Sequence, residues 1–104
     1  LANHEMIVAA KAGIESMVKS ASLTYARKML RFNAIAPGLV NTPLSSRIVN
    51  NPVALETSIK MHPTGRIGEP ADISRMIHFL LNPDNNWITG QTFSIDGGLS
   101  TTKS

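Results

Sequence analysis

The sequence predicts an α/β protein, the last part of a doubly wound domain with a parallel sheet. Three observations predict it. Two apolar or β-rich runs, residues 32–36 and 91–95, are separated by helical patterns rather than by a hairpin turn. The first run breaks at Pro37-Gly38 and leads into Thr42-Pro43. Strand, turn and helix start in that order place a binding site at the carboxyl end of a strand. Two strands joined through a helix lie parallel with a right-handed crossover, and two are too few for a covered sheet. The expected order is long helix, strand, helical lid, helix, strand.

Residues 3–28 read as one long helix, because Ile7, Ala10, Ile14, Met17, Val18, Ala21 and Tyr25 recur at helical spacing. Glu15 and Lys19 suit an i,i+4 ion pair on the wet side. Ala9, Ala10, Ala12 and Gly13 are small and allow another backbone or a ligand to approach. Glycine inside a helix costs about 1 kcal/mol against alanine, so close packing is the expected reason for Gly13. Lys11 sits among these small residues, and by residue type alone it reads as an exposed lysine. Lys19, Arg27, Lys28 and Arg31 gather near the helix end, where cations suit the dipole.

Residues 32–36 form a short apolar run without helical spacing, hence a buried strand. Bare backbone at Gly38 can meet a flat ligand, and free N–H groups near Thr42 can face an anion. Thr42 as N-cap and Pro43 as first residue open a short helix over 43–48. Asn50-Asn51 bends the chain, and Asn51-Pro52 caps and opens a helix to residue 61. This helical pair carries few strong apolar anchors, which suits a mobile lid. Residues 62–68 are loop, and His62 has no acidic or histidine partner at metal-ligand spacing, so no metal site is expected. Pro70 opens a helix with Glu69 and Asp72 at its positive end, an apolar face of Ile73, Met76, Ile77, Leu80 and Leu81, and a stop at Pro83. A polar turn carrying Trp87 follows. Residues 91–95 alternate as a strand, which Asp96-Gly97-Gly98 ends before a polar tail.

At 104 residues the chain holds one small core. No signal peptide is expected from its start, and no apolar run approaches membrane-spanning length. Cysteine is absent, which excludes disulfides and thiolate metal sites and fits a reducing, cytoplasmic setting. The net charge of +3 is modest, and few aromatics with no continuous basic stripe argue against nucleic-acid binding.

Three linked motifs resemble one family. Phe32-Asn33-Ala34-Ile35-Ala36-Pro37-Gly38 followed by Thr42-Pro43 resembles the Pro-Gly-x-x-x-Thr segment of short-chain dehydrogenases/reductases. Gly65-Arg66-Ile67-Gly68-Glu69-Pro70-Ala71-Asp72-Ile73 resembles their linker into the penultimate helix, and Ile88-Thr89-Gly90-Gln91 through Asp96-Gly97-Gly98 their final strand. The likeness covers nearly the whole chain in the right order. It implies that residues 1–104 are the C-terminal part of a single Rossmann-like domain binding NAD or NADP. The implied reaction moves a hydride between nicotinamide and a carbonyl or alcohol. Pro37 and Gly38 would lie beside the nicotinamide, and Val40 and Thr42 would hold its carboxamide or the adjoining phosphate. Lys11 aligns with the lysine of the Tyr-x-x-x-Lys motif, which binds the ribose hydroxyls and lowers the tyrosine pKa. A homodimer or homotetramer is implied as well.

One position departs from that pattern. Ile7 stands where the motif tyrosine belongs, and its side chain neither donates nor accepts a proton. Tyr25 cannot replace it, lying about 27 Å further along the helix. His4, seven residues before Lys11 and near the same face, is a candidate proton donor, with an ordinary surface contact as its alternative reading. The family's serine, its glycine-rich pyrophosphate loop and its Asn-Ala-Gly segment have no counterpart in these residues. The readings are therefore an oxidoreductase with an unusual proton donor, a catalytically impaired cofactor-binding or assembly subunit, and a self-pairing interaction module.

Overall fold

The computed structural model describes residues 4–101, without the side chains of residues 4, 5, 7 and 8. The elements are α1 (His4–Thr24), β1 (Ala34–Pro37), α2 (Ser46–Val49), α3 (Pro52–Met61), α4 (Pro70–Leu81) and β2 (Thr92–Ile95), joined by short 3-10 turns. The α/β class and element order are as expected. Strands β1 and β2 pair in a two-stranded sheet. Ala34 donates its N–H to the Gln91 carbonyl and Gly38 donates to Ile95, the same offset at both ends, as in a parallel ladder. The described residues form two compact units, 4–34 with 80–93 and 35–79 with 94–101.

In the first unit α1 stops four residues short of the expected end. Thr24 and Tyr25 are weak helix formers, and the chain tightens at Tyr25 into a 3-10 turn, Ala26–Lys28, closed by Met29 in the left-handed region at φ 60°. The Tyr25 ring then rests on Phe32, with centroids 5.7 Å apart. Strand β1 begins two residues later than its apolar run, because side chains do the pairing first. The Phe32 N–H donates to Thr89 Oγ1, and Asn33 bridges, donating to the Ile88 carbonyl and accepting from the Gln91 N–H. Gly90 sits at φ +73°, where a Cβ would lie 2.6 Å from Ser22 Oγ, so the turn tolerates only glycine. Leu80 is the buried hydrophobic side chain of the described residues.

Arg31 does not serve the end of α1. Its guanidinium donates to the carbonyls of Leu80 at 2.8 Å and Ile88 at 3.2 Å, so it closes the C-terminal turn of α4. Arg31→Ala is expected to lower stability by about 1.5–3 kcal/mol, the range of a charged hydrogen bond. Arg31→Lys should recover less than half, since an ammonium lacks the fork that spans two carbonyls. Chemical denaturation measures this, and an unchanged midpoint for the alanine variant would mean water replaces the guanidinium at no cost. The expected Glu15–Lys19 pair is not among the ion pairs of the described residues. Two exposed, flexible side chains gain little by holding one geometry. Ile14 and Met17, expected on the apolar face of α1, are exposed, and nothing lies near a Cβ built on Gly13.

In the second unit the loop after α3 contributes sheet-like pairing that its composition hid. Gly68 donates to Leu39 O at 2.8 Å and accepts from the Asn41 N–H at 2.9 Å, a parallel bridge opposite Val40. Asn51 caps α3 as expected, its Oδ1 accepting from Val53 and Ala54, with Pro52 in the first turn. At the start of α4, Asp72 reaches back to the Glu69 N–H at 2.7 Å, the acidic half of a capping box. No helix of the described residues is long and apolar enough to cross a membrane.

Candidate functional site

The site is built on the turn that leaves β1. Pro37 ends the strand and Gly38 follows, its N–H bonded to Ile95. A Cβ on Gly38 would lie 2.7 Å from His62 Nε2 and 3.1 Å from Asp96 Cα, so the close fit itself requires glycine. Beyond it, the bridge to Gly68 uses the backbone of Leu39 and Asn41, which turns the Val40 peptide groups the other way. The Val40 carbonyl accepts from the Ser45 hydroxyl at 2.6 Å, while the Val40 N–H meets no acceptor among the described residues.

At Thr42 the helix type and the N–H, not the cap position, differ from expectation. Thr42 is extended, at φ −138° and ψ 166°, and precedes a 3-10 turn, Pro43–Ser45, which runs into α2. Its N–H is not free for an anion, because it donates to Ser45 Oγ at 3.0 Å, and the Ser45 N–H returns to the Thr42 carbonyl. Thr42 is the N-cap of that turn and Pro43 its first residue, as expected, and Ser45 supplies the reciprocal half of the capping box. Beside these residues Pro37, Val40, Thr42, Pro70, Ile73, Ser74 and Ile77 line an open, almost wholly apolar hollow of about 350 Å³. A flat aromatic or heteroaromatic ring suits such a surface, and Val40, one of its lining residues, has an N–H that meets no acceptor among the described residues.

A second, more polar cavity of about 150 Å³ lies behind the turn, with Gly38, His62, Arg66, Asp72 and Asp96 in its wall. His62 is buried, its Nδ1 2.6 Å from the Ser58 carbonyl and its Nε2 accepting from the Leu39 N–H at 3.1 Å. Burial pushes the Asp96 carboxyl up, but hydrogen bonds from Ser100 and from the Gly98 N–H outweigh it and hold Asp96 below the usual carboxylate range. Asp72 takes both ends of the Arg66 guanidinium, at 2.8 and 3.1 Å, and with the Glu69 N–H this holds its carboxyl far below that range. A depressed carboxylate contributes stability that is complete above its unfolded pKa and lost as pH falls through the folded value. Stability should therefore decline below about pH 4, the ordinary aspartate range. Asp72→Asn should be less stable at pH 7 and show a shallower acid limb. Urea midpoints at pH 7 and 3 check this, and parallel pH curves for the two proteins would remove Asp72 as a cause.

The second unit thus brings together Pro37, Gly38, Val40 and Thr42. Lys11 belongs to the first unit, exposed on α1. The reading of His4 as proton donor, and of Ile7 opposite Lys11, falls on side chains outside those described. Sequence reasoning missed His62 and Ser45. Ser45 carried a faint signal, three residues beyond Thr42 in a proline turn. His62 carried none, since its partner Leu39 is distant in sequence and becomes adjacent only through the fold.

The family model described as enoyl-(acyl carrier protein) reductase matches residues 1–100. Cyclohexanol dehydrogenase from Acinetobacter sp. (strain SE19) is 37% identical over 90 residues, covering 86% of this chain and 34% of that protein. Among solved structures, 4-hydroxyisoleucine dehydrogenase complexed with NADH superposes with a TM-score of 0.87 at 28% identity, over 92% of this chain and 40% of that one. ElxO with NADP bound gives 0.81 at 32% identity, over 90% and 38%. The chain spans about a third of the length of the curated relatives it matches.

Proposed function

The chain belongs to the short-chain dehydrogenase/reductase family, and from that premise we propose that it forms the C-terminal third of a Rossmann-like, nicotinamide-dependent oxidoreductase. The observation that carries the reading is the turn after β1, where an open apolar surface lies beside a backbone N–H with no acceptor among the described residues. Those residues fit a nicotinamide ring and its carboxamide. The cofactor, when bound, supplies or accepts the hydride, and the substrate is a carbonyl or alcohol. Pro37 and Gly38 bring bare backbone against the ring. The Val40 N–H holds the carboxamide, and the Thr42 hydroxyl is placed to reach the same group or the adjoining phosphate. Lys11 binds the ribose hydroxyls with its ammonium. The helical pair α2–α3 covers the substrate. Similarity extends to both an NADH-bound and an NADP-bound structure, so the cofactor class, not the choice between the two, is proposed. The working assembly in this reading is a homodimer or homotetramer in the cytoplasm, where a chain without cysteine needs no disulfides.

The test is fluorescence titration with NADH and NADPH. The full-length protein is expected to bind one of them, whereas residues 1–104 alone, without a glycine-rich pyrophosphate loop, are expected to bind neither tightly. Lys11→Ala in the full-length protein should weaken binding by about 1.5–3 kcal/mol, the range for a charged hydrogen bond. No binding by the full-length protein would end the reading, and full affinity in Lys11→Ala would remove the lysine from the site.

A further inference from the structure

His62 has no part in the cofactor reading above, yet only 4% of its surface is exposed. Its two ring nitrogens meet opposite partners: the Ser58 carbonyl can only accept, and the Leu39 N–H can only donate. The ring must then carry its proton on Nδ1 and offer a lone pair at Nε2, which is the neutral imidazole in one tautomer. Gly38 passes so close to Nε2 that no other residue fits between ring and turn.

We propose that neutral His62 is a positioning residue for the cofactor site. It ties the Leu39 N–H to the C-terminal end of α3 and so presets the neighbouring Val40 amide before nicotinamide arrives. The inference rests on the nicotinamide reading of that amide. Protonation reverses the geometry, because a second ring N–H then faces the Leu39 N–H and the tie opens. The Asp96 carboxylate at the end of β2 faces the ring as an opposite charge while accepting from the Gly98 and Ser100 N–H groups, and Asp72 is held by Arg66 across the same cavity. On α3 the charged residues Glu56 and Lys60 pair with each other in solvent. The tie therefore depends on the Nε2 lone pair that the ring presents to the Leu39 N–H.

The experiment compares wild type, His62→Leu and His62→Gln in the full-length protein. Hydrogen exchange is followed by mass spectrometry on the peptide containing Leu39. Affinity is measured for NADH, NADPH and adenosine diphosphate ribose, which lacks the nicotinamide. His62→Leu should speed exchange about five- to tenfold, the worth of one hydrogen bond, and weaken the preferred nicotinamide nucleotide by a similar factor. It should leave adenosine diphosphate ribose untouched. His62→Gln, whose side-chain carbonyl can accept from Leu39, should restore most of both. Equal protection in all three proteins, or equal weakening of all ligands, overturns the proposal. If His62→Leu does not fold, wild type against His62→Gln decides: near-equal protection and affinity support the acceptor role, and lost protection in His62→Gln overturns it. If the wild type binds no nicotinamide nucleotide, the functional reading fails, and exchange alone decides whether His62 holds the turn.

Discussion

Ile7→Tyr in the full-length protein is expected to raise carbonyl reduction at least tenfold, and general acid catalysis allows about 100- to 10,000-fold. Reduction of a carbonyl needs a proton on the oxygen as the hydride arrives at carbon. Isoleucine has none to give. Position 7 lies four residues before Lys11 in α1, so the two share one face of the helix. A phenol there would sit near a lysine ammonium, which favours phenolate and brings the hydroxyl's acidity towards working pH. The gain should fall mainly on kcat, since the proposed nucleotide contacts lie on other groups. A wild type with no turnover that gains it through Ile7→Tyr would favour the impaired-subunit reading. An active wild type that Ile7→Tyr leaves unchanged would mean another group already supplies the proton. His4→Ala then separates the candidates, because full activity in that variant removes His4.

The elements were legible in the sequence wherever local chemistry decided them. Asn51-Pro52 and Glu69-Pro70 mark helix starts through caps that act within three residues, and both helices begin there. Pro37-Gly38 marks the candidate site because a turn at a strand end needs those residue types. What the sequence concealed was settled by partners far along the chain. The Phe32-Asn33 pair reads as strand, but Asn33 spends its amide on Ile88 and Gln91, and the ladder starts later. Arg31 reads as the end of a basic cluster, whereas its acceptors lie some fifty residues on. Composition cannot show His62 closing the turn, because a histidine before a proline reads as ordinary loop. The exposure of Ile14 and Met17 has a related origin. Helical spacing identifies a face, while only a neighbouring surface makes that face a core.

Glycine gives the sharpest contrast between what periodicity suggests and what packing demands, and Gly38→Ala is the second large effect expected. A methyl at Gly38 meets the His62 ring at 2.7 Å, the Asp96 Cβ at 3.0 Å and the Asp96 Cα at 3.1 Å. Two of these belong to β2's end and its backbone, and the third to a ring held by two hydrogen bonds, so none can swing aside. Overpacking of this kind costs about 1–3 kcal/mol. Relief requires separating β1 from β2 or breaking the Leu39–His62 bond, and either disturbs the Val40 amide. Nicotinamide nucleotide binding should fall together with the thermal midpoint. Gly13→Ala is the control. Position 13 lies in α1, and a Cβ there meets nothing within 4 Å among the described residues, so alanine should add up to about 1 kcal/mol through helix propensity. Thermal melts and NADH titrations of the two full-length variants measure both changes. A Gly38→Ala protein as stable and as tightly binding as wild type would mean the turn is loose, and would detach the proposed site from the backbone on which it is built. Destabilisation by Gly13→Ala would instead show that another surface, in the same protein or a second copy, lies against the small-residue stretch of α1.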